Sequence, residues 1–236
     1  MDQAKVDLKH EHQASLARPR YPYSLRAKLF FAAMDTVAGR ETTLSKVKLL
    51  EILASIPYRE WEMRHYARMT RKCGDPNRVD RLRRLVAWDR EAQDNEYMHL
   101  TVIQEKMKEE GLSDAWYLKP PIPWLMVWTY MVISRLMALF SLRRAFLFNA
   151  EFEDHAEHEY ARFVVDHPEW EAQTVDNPIV AGYTDATTWA DVFRRISLDE
   201  RDHRNRSFAY CGKPEHVVTY EGMAEINGTI IGAARG

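Results

Sequence analysis

Asn95-Glu96-Tyr97-Met98-His99-Leu100-Thr101-Val102-Ile103 sets a carboxylate and an imidazole three residues apart within an apolar run. On a helix that spacing puts both side chains on one face, one turn apart, where they can share a metal ion. The apolar residues around them recur at steps of three and four: Leu82, Leu85, Val86 and Ala92 before, Leu100 and Ile103 after. Such a period predicts a helix with one buried stripe, and it places Glu96 and His99 in that stripe. The helix opens after the turn signal Gly74-Asp75-Pro76 and stops near Gly111.

The same period recurs on both sides of this stretch. An apolar segment from Tyr23 to Ala38, with Arg26 and Lys28 near its start, ends at Gly39. Thr42, Thr43 and Ser45 are N-cap candidates for a helix that runs through Glu51 towards Met69, with Pro57 as an expected kink. Downstream, Pro120, Pro121 and Pro123 separate the central helix from an apolar one over Trp124 to Phe148. A further helix carries Phe148, Phe152, Ala156, Tyr160 and Phe163 on one side and ends before Pro168. The last starts near Thr188 and carries Val192, Ile196, Glu200 and His203. About six helices result, with no strand-like alternation, so the fold class is all-α. The expected organisation is a polar arm over 1–20, one helical bundle domain over 21–212 and a tail over 213–236.

The 236 residues are 46% hydrophobic and 29% charged, a globular composition long enough for a sizeable core. A net charge of −2 provides no global field to draw the chain to nucleic acid or to anionic surfaces. The two cysteines, Cys73 and Cys211, exclude a disulfide framework or a multi-thiolate zinc site and suit a reducing compartment. Asp2, Asp7 and Glu11 give the N-terminal stretch acids that a mitochondrial presequence lacks, and no apolar run marks a secretory signal.

A single Glu-x-x-His is a weak motif, because a chain with 9 His among 236 residues and this glutamate content contains roughly one by chance. Three occur here: Glu62/His65, Glu96/His99 and Glu200/His203. Order and spacing strengthen two of them. Ferritin-like di-iron sites take one Glu from each of two helices and a Glu-x-x-His from each of two others. The series Glu51, Glu96/His99, Glu153, Glu200/His203 puts one such group on each of four predicted helices, which makes a ferritin-like four-helix bundle with two additional apolar helices the expected architecture. Leu49, Leu50 and Leu53 surround Glu51, and Phe152 and Ala156 flank Glu153. Carboxylates on apolar faces are costly without a cation. Glu151 and Glu157 compete with Glu153 for its place. Glu62/His65 lies among Arg59, Arg64 and Arg68, with no turn after Glu51, and is expected on a solvated face.

At these residues the sequence resembles the alternative oxidases, membrane-bound di-iron quinol oxidases that include plastid terminal oxidase. The family's Leu-Glu-Thr looks like Leu50-Glu51-Ile52, and its Asn-Glu-Arg-Met-His-Leu is close to Asn95-Glu96-Tyr97-Met98-His99-Leu100. Its Leu-Glu-Glu-Glu-Ala is matched loosely by Phe152-Glu153-Asp154-His155-Ala156, with the family's tyrosine kept as Tyr160. Its Arg-Ala-Asp-Glu-Ala-x-His corresponds to Ser197-Leu198-Asp199-Glu200-Arg201-Asp202-His203. The resemblance, over roughly residues 20 to 210, implies two iron ions, a quinol reductant and dioxygen. It also implies Tyr160 as a redox-active phenol, Asn95 and Asp199 as groups orienting the ligands, and Lys46, Leu50, His155 and Ala156 beside the substrate. Without the family, Tyr160 reads equally well as a core tyrosine. Three departures stand out: His155 replaces a carboxylate, Lys46 an arginine, and Tyr183 is what remains of a tyrosine–tryptophan pair.

Relatives lie in one leaflet through the apolar helix, here Trp124 to Phe148. Arg135, Arg143 and Arg144 interrupt it, so it is not expected to span a bilayer. A one-leaflet membrane contact and burial at a core or homodimer face are both open. The expected activity is quinol oxidation coupled to reduction of dioxygen to water, at a membrane or in the cytoplasm. A di-iron oxygenase for another hydrophobic or phenolic substrate is the nearer rival, and a ferritin-like iron-binding protein the more distant one.

Overall fold

The computed structural model describes residues 6–226. Among them lie the α-helices α1 (Leu8–Ala17), α2 (Leu25–Ala38), α3 (Leu44–Arg71), α4 (Pro76–Glu109), α5 (Ile122–Phe140), α6 (Leu142–Asp166), α7 (Pro178–Tyr183) and α8 (Trp189–Tyr210). The β-structure among the described residues is one isolated bridge, Thr174 with Thr188. The all-α expectation therefore holds.

Local chemistry fixes most of the boundaries. Of the three N-cap candidates for α3, Thr43 accepts from the Lys46 amide at 3.2 Å, while Thr42 donates to Glu159 and Ser45 accepts from the Ala115 amide. α3 continues through Pro57 as one assigned helix. Asp75 caps α4 through the Arg78 amide, with Pro76 at the first helical position, where a missing N–H costs nothing. Gly39 (φ 85°) and Gly111 (φ 67°) follow α2 and α4 in the left-handed region that releases a chain from a helix.

Two boundaries differ from the sequence reading. The expected helix from Trp124 to Phe148 is broken at Ser141, whose extended backbone (φ −163°, ψ 102°) ends α5, and whose hydroxyl accepts from the Arg144 amide to start α6. Arg143 and Arg144 therefore belong to α6, and α5 keeps Arg135 as its one charged residue. By length and composition alone, its 19 residues are apolar enough to cross a membrane. The second difference is the N-terminal arm. It is helical over Leu8–Ala17, capped by Asp7. Residues 1–5 of that arm, and 227–236 of the tail, fall outside the described residues.

The chain forms two compact units. The first comprises residues 6–42, 147–209 and 213–226, and so holds α1, α2, α7, most of α6 and nearly all of α8. Its core is aromatic: Phe193 stacks on Trp170 with ring centroids 4.5 Å apart, and Phe163 meets both. α1 docks by polar contacts, His12 to the Ala161 carbonyl at 2.8 Å and Ser15 to Glu157 at 2.7 Å. The segment after 212 docks as well: Lys213 reaches the Tyr21 hydroxyl, and Tyr220 donates to Asp202 at 2.7 Å. The second unit comprises residues 43–146 and 210–212, with α3 packed on both α4 and α5. Its core gathers Tyr58, Trp61, Trp88, Phe146 and Tyr210, with Trp61 and Phe146 rings 4.6 Å apart.

Candidate metal centre

In the second unit, Glu51 on α3 and Glu96 and His99 on α4 are all buried. The apolar stripe that drives α3 against α4 carries Leu49, Leu50, Leu53, Val102 and Ile103, so the three polar residues are taken inside with it. His99 Nδ1 lies 3.2 Å from a Glu51 oxygen and 3.7 Å from a Glu96 oxygen. In the first unit, α6 contributes Glu153 and α8 contributes Glu200 and His203, again all buried. His203 Nδ1 lies 3.7 Å from a Glu200 oxygen. Each unit thus holds a carboxylate from one helix beside a Glu-x-x-His from another, with donor atoms within 4.8 Å of one another.

These separations fit a metal. Two donors bound to one ion at roughly 2 Å each lie no more than about 4 Å apart, and the 3.2 and 3.7 Å pairs satisfy that limit. Carboxylate and imidazole donors without thiolate suit iron or another first-row ion. Buried Glu and His groups that can hold a metal are thus present.

The competing acids are occupied elsewhere. Glu151 accepts from both the amide and the hydroxyl of Ser24, and so anchors the start of α2. Glu157 is paired with Arg18 and Arg201 and accepts from Ser15. Burial pushes its carboxyl up, but those partners outweigh burial and hold it down at about 2. Asp154 takes Arg204 at 2.7 Å, the Tyr21 amide and the Tyr23 hydroxyl. Glu153, by contrast, is clustered with Glu200 and His203, and its Oε1 accepts from Asn149 at 2.9 Å. Asn149 also reaches the Ser207 hydroxyl at 3.1 Å, which ties α6 to α8 and fixes the carboxylate. Sequence reasoning missed this residue. Its signal was the i, i+4 spacing to Glu153.

The other expected site residues are placed as follows. Lys46 and Leu50 are buried on α3, and Asn95 is half-buried on α4. Tyr160 is fully buried in the first unit with its ring beside Phe193 at 6.2 Å. Asp199 accepts from the Tyr183 hydroxyl at 2.6 Å and is paired with Arg195. Ala156 is buried, and His155 is half-buried with its ring stacked on Phe31 at 4.0 Å. Arg20 lies 3.1 Å from His155 Nδ1.

Glu62/His65 departs from its expected solvated face. His65 is fully buried, with Nδ1 2.7 Å from the equally buried Asp89. Glu62 points to Arg90 at 2.6 Å, so the two members of this pair do not converge on one ion. Both cysteines are free thiols, Cys73 exposed and Cys211 buried. Comparison with known proteins gives no matching family model and no matching curated relative.

Proposed function

We propose that this chain is a non-haem di-iron oxidoreductase similar to the alternative oxidases, oxidising a quinol and reducing dioxygen to water. The reading is carried by one observation: the same buried donor set, one Glu beside a Glu-x-x-His, occurs on α3 with α4 and again on α6 with α8. That duplication is what a ferritin-like four-helix bundle uses to hold two irons. Glu51, Glu96, His99, Glu153, Glu200 and His203 are the proposed iron ligands. Bound iron would supply the redox couple that passes electrons from quinol to dioxygen. Two quinols give four electrons and four protons to one dioxygen, leaving two quinones and two waters.

The protein's own groups have separate tasks. Asn149 orients Glu153, and Tyr183 and Arg195 hold Asp199 beside the Glu200 ligand. The buried Tyr160 hydroxyl is the proposed redox-active phenol. Leu50, Ala156, Lys46 and His155 are the proposed substrate contacts. α5 buries Tyr130, Ser134 and Ala138 and leaves Trp124, Leu125, Trp128, Leu136 and Phe140 about half or more exposed. That exposed face is proposed to lie in one leaflet of a membrane, with a homodimer as the assembly and no nucleic acid as partner.

The environment of His155 favours a second reading. Where the family has a proton-accepting carboxylate this chain has an imidazole beside the Arg20 guanidinium, a different acceptor for quinol protons. An oxygenase acting on another hydrophobic or phenolic substrate needs no such acceptor. Oxygen uptake by iron-loaded protein with a short-chain ubiquinol separates the two. The proposal expects slow but measurable uptake that His155→Glu increases. Hydroxylation of a phenolic or fatty substrate with no quinol turnover at any pH would establish the oxygenase instead.

A further inference from the structure

The arginine excess of α3 and α4 has no part in the metal site. Residues 59–90 contain ten Lys/Arg against five Asp/Glu. Several of those acids are already engaged: Glu62 with Arg90, Asp80 with Arg83 and Arg84, Asp89 with His65. Arg64, Arg68 and Arg71 recur at i, i+4 and i+7 along one face of α3. They line a cavity of about 410 Å³ in the second unit, which α5 borders with Arg135 and Leu139. Among its lining residues four are arginines and one, Glu60, is acidic. Glu60 lies 3.8 Å from Arg135 and is itself buried.

Crowding these guanidiniums has a cost. Burial and the neighbouring Arg68 push the Arg64 guanidinium down from its ordinary value. The buried Nε of Arg64 has no hydrogen-bond partner. A half-buried guanidinium beside another, with a donor unused, is a site short of an anion. Phosphate is the anion that forked guanidinium donors match best. The rim is apolar on the α5 side, where Leu139 leads onto the exposed Leu136, Phe140 and Ile133.

We propose that the cavity between α3 and α5 binds a phosphate group, supplied by the head of an anionic phospholipid whose acyl chains lie along the exposed face of α5. The arginines hold the head, and the helix surface covers the chains. The inference extends the membrane reading of α5 and is independent of the metal site.

The test uses full-length protein and sedimentation with two vesicle types, phosphatidylcholine alone and phosphatidylcholine with one part in four phosphatidylglycerol. Wild type is expected to bind the anionic vesicles roughly tenfold more tightly, as a few arginines near an anionic surface provide. R64Q/R68Q should lose most of that preference while retaining binding to phosphatidylcholine. If that variant fails to fold, judged by circular dichroism, R71Q/R135Q removes two exposed members of the cluster to the same effect. Replacing Trp128 and Phe140 with serine should weaken binding to both vesicle types, which identifies failure of the α5 contact separately from failure of the arginine site. Equal binding of wild type to both vesicles would overturn the proposal. So would an equal loss in R83Q/R84Q, which lies outside the cavity and would indicate diffuse charge. Stabilisation of wild type by inorganic phosphate, absent in R64Q/R68Q and with no vesicle preference, would assign the site to free phosphate instead. A change of oligomeric state in R64Q/R68Q without a change in lipid preference would make the cavity an interface between copies, again against the proposal.

Discussion

Glu157 and Asp89 are both fully buried acids, yet they load the fold in opposite senses. Arg18, Arg201 and Ser15 hold the Glu157 carboxyl at about 2, below its ordinary 4.5. A depressed acid contributes stability that is present above the unfolded value and lost as pH falls through the folded one. The loss spans about pH 4.5 to 2 and reaches about 3 kcal/mol. At Asp89, burial pushes the carboxyl up to about 6 against the opposing pull of His65. Its favourable share is complete below 3.8 and disappears as pH rises through about 6. Glu157→Gln should therefore flatten the acid limb of the stability curve, and Asp89→Asn should steepen it. Denaturant midpoints measured from pH 6 to 3 check both signs, and matching slopes in the two variants would refute the assignment. Tyr160 belongs to the same scale. Its burial beside Phe193 suits either a redox phenol or a core ring. Tyr160→Phe should keep iron content and lower thermal stability only slightly, while turnover falls by orders of magnitude. Near-normal turnover would make it a core residue.

At the scale of elements, α5 shows what periodicity conveys and what it misses. Caps and stops were readable where one residue decides: Thr43, Asp75, Gly39 and Gly111 all act as their chemistry suggests. The break at Ser141 was not, because Leu142, Ala145, Phe146 and Phe148 continue an apolar period and a serine is no strong stop. α1 escaped notice for another reason. Its helix is held by long-range polar contacts, Arg201 to Glu11 and His12 to Ala161, which leave no mark on local periodicity. Moving Arg143 and Arg144 out of α5 makes the apolar face purer than the sequence suggests. Wild-type protein is therefore expected to stay with membranes in detergent-free extracts, and replacing Trp128 and Phe140 with serine should release it. A fully soluble wild type would assign that face to a core or homodimer contact.

For the molecule as a whole, the all-helical class followed directly from the spacing of apolar residues, and the buried Glu/His groups that could hold a metal from two Glu-x-x-His motifs on such spacing. Glu51, Glu96 and His99 do cluster in one unit, and Glu153, Glu200 and His203 in the other. The choice of Glu153 over Glu151 and Glu157 was open in the sequence, because the residues that occupy the two rivals, Ser24, Arg18 and Arg201, are distant in the chain. Nor did the motif reveal that His65 is buried, since its partner Asp89 lies on the next helix. The substrate side is the least legible part, because the partners of His155, Arg20 and Phe31, lie far from it in the chain.

Iron content after anaerobic loading with ferrous ion tests the proposed role of Glu51, Glu96, His99, Glu153, Glu200 and His203 as iron ligands. About two irons per chain are expected, as di-iron carboxylate proteins hold. Glu96→Ala and Glu200→Ala should each lose iron, and Glu62→Ala should leave the content unchanged. A folded wild-type protein that stays free of iron, or loss of iron in Glu62→Ala with retention in Glu96→Ala, would contradict it.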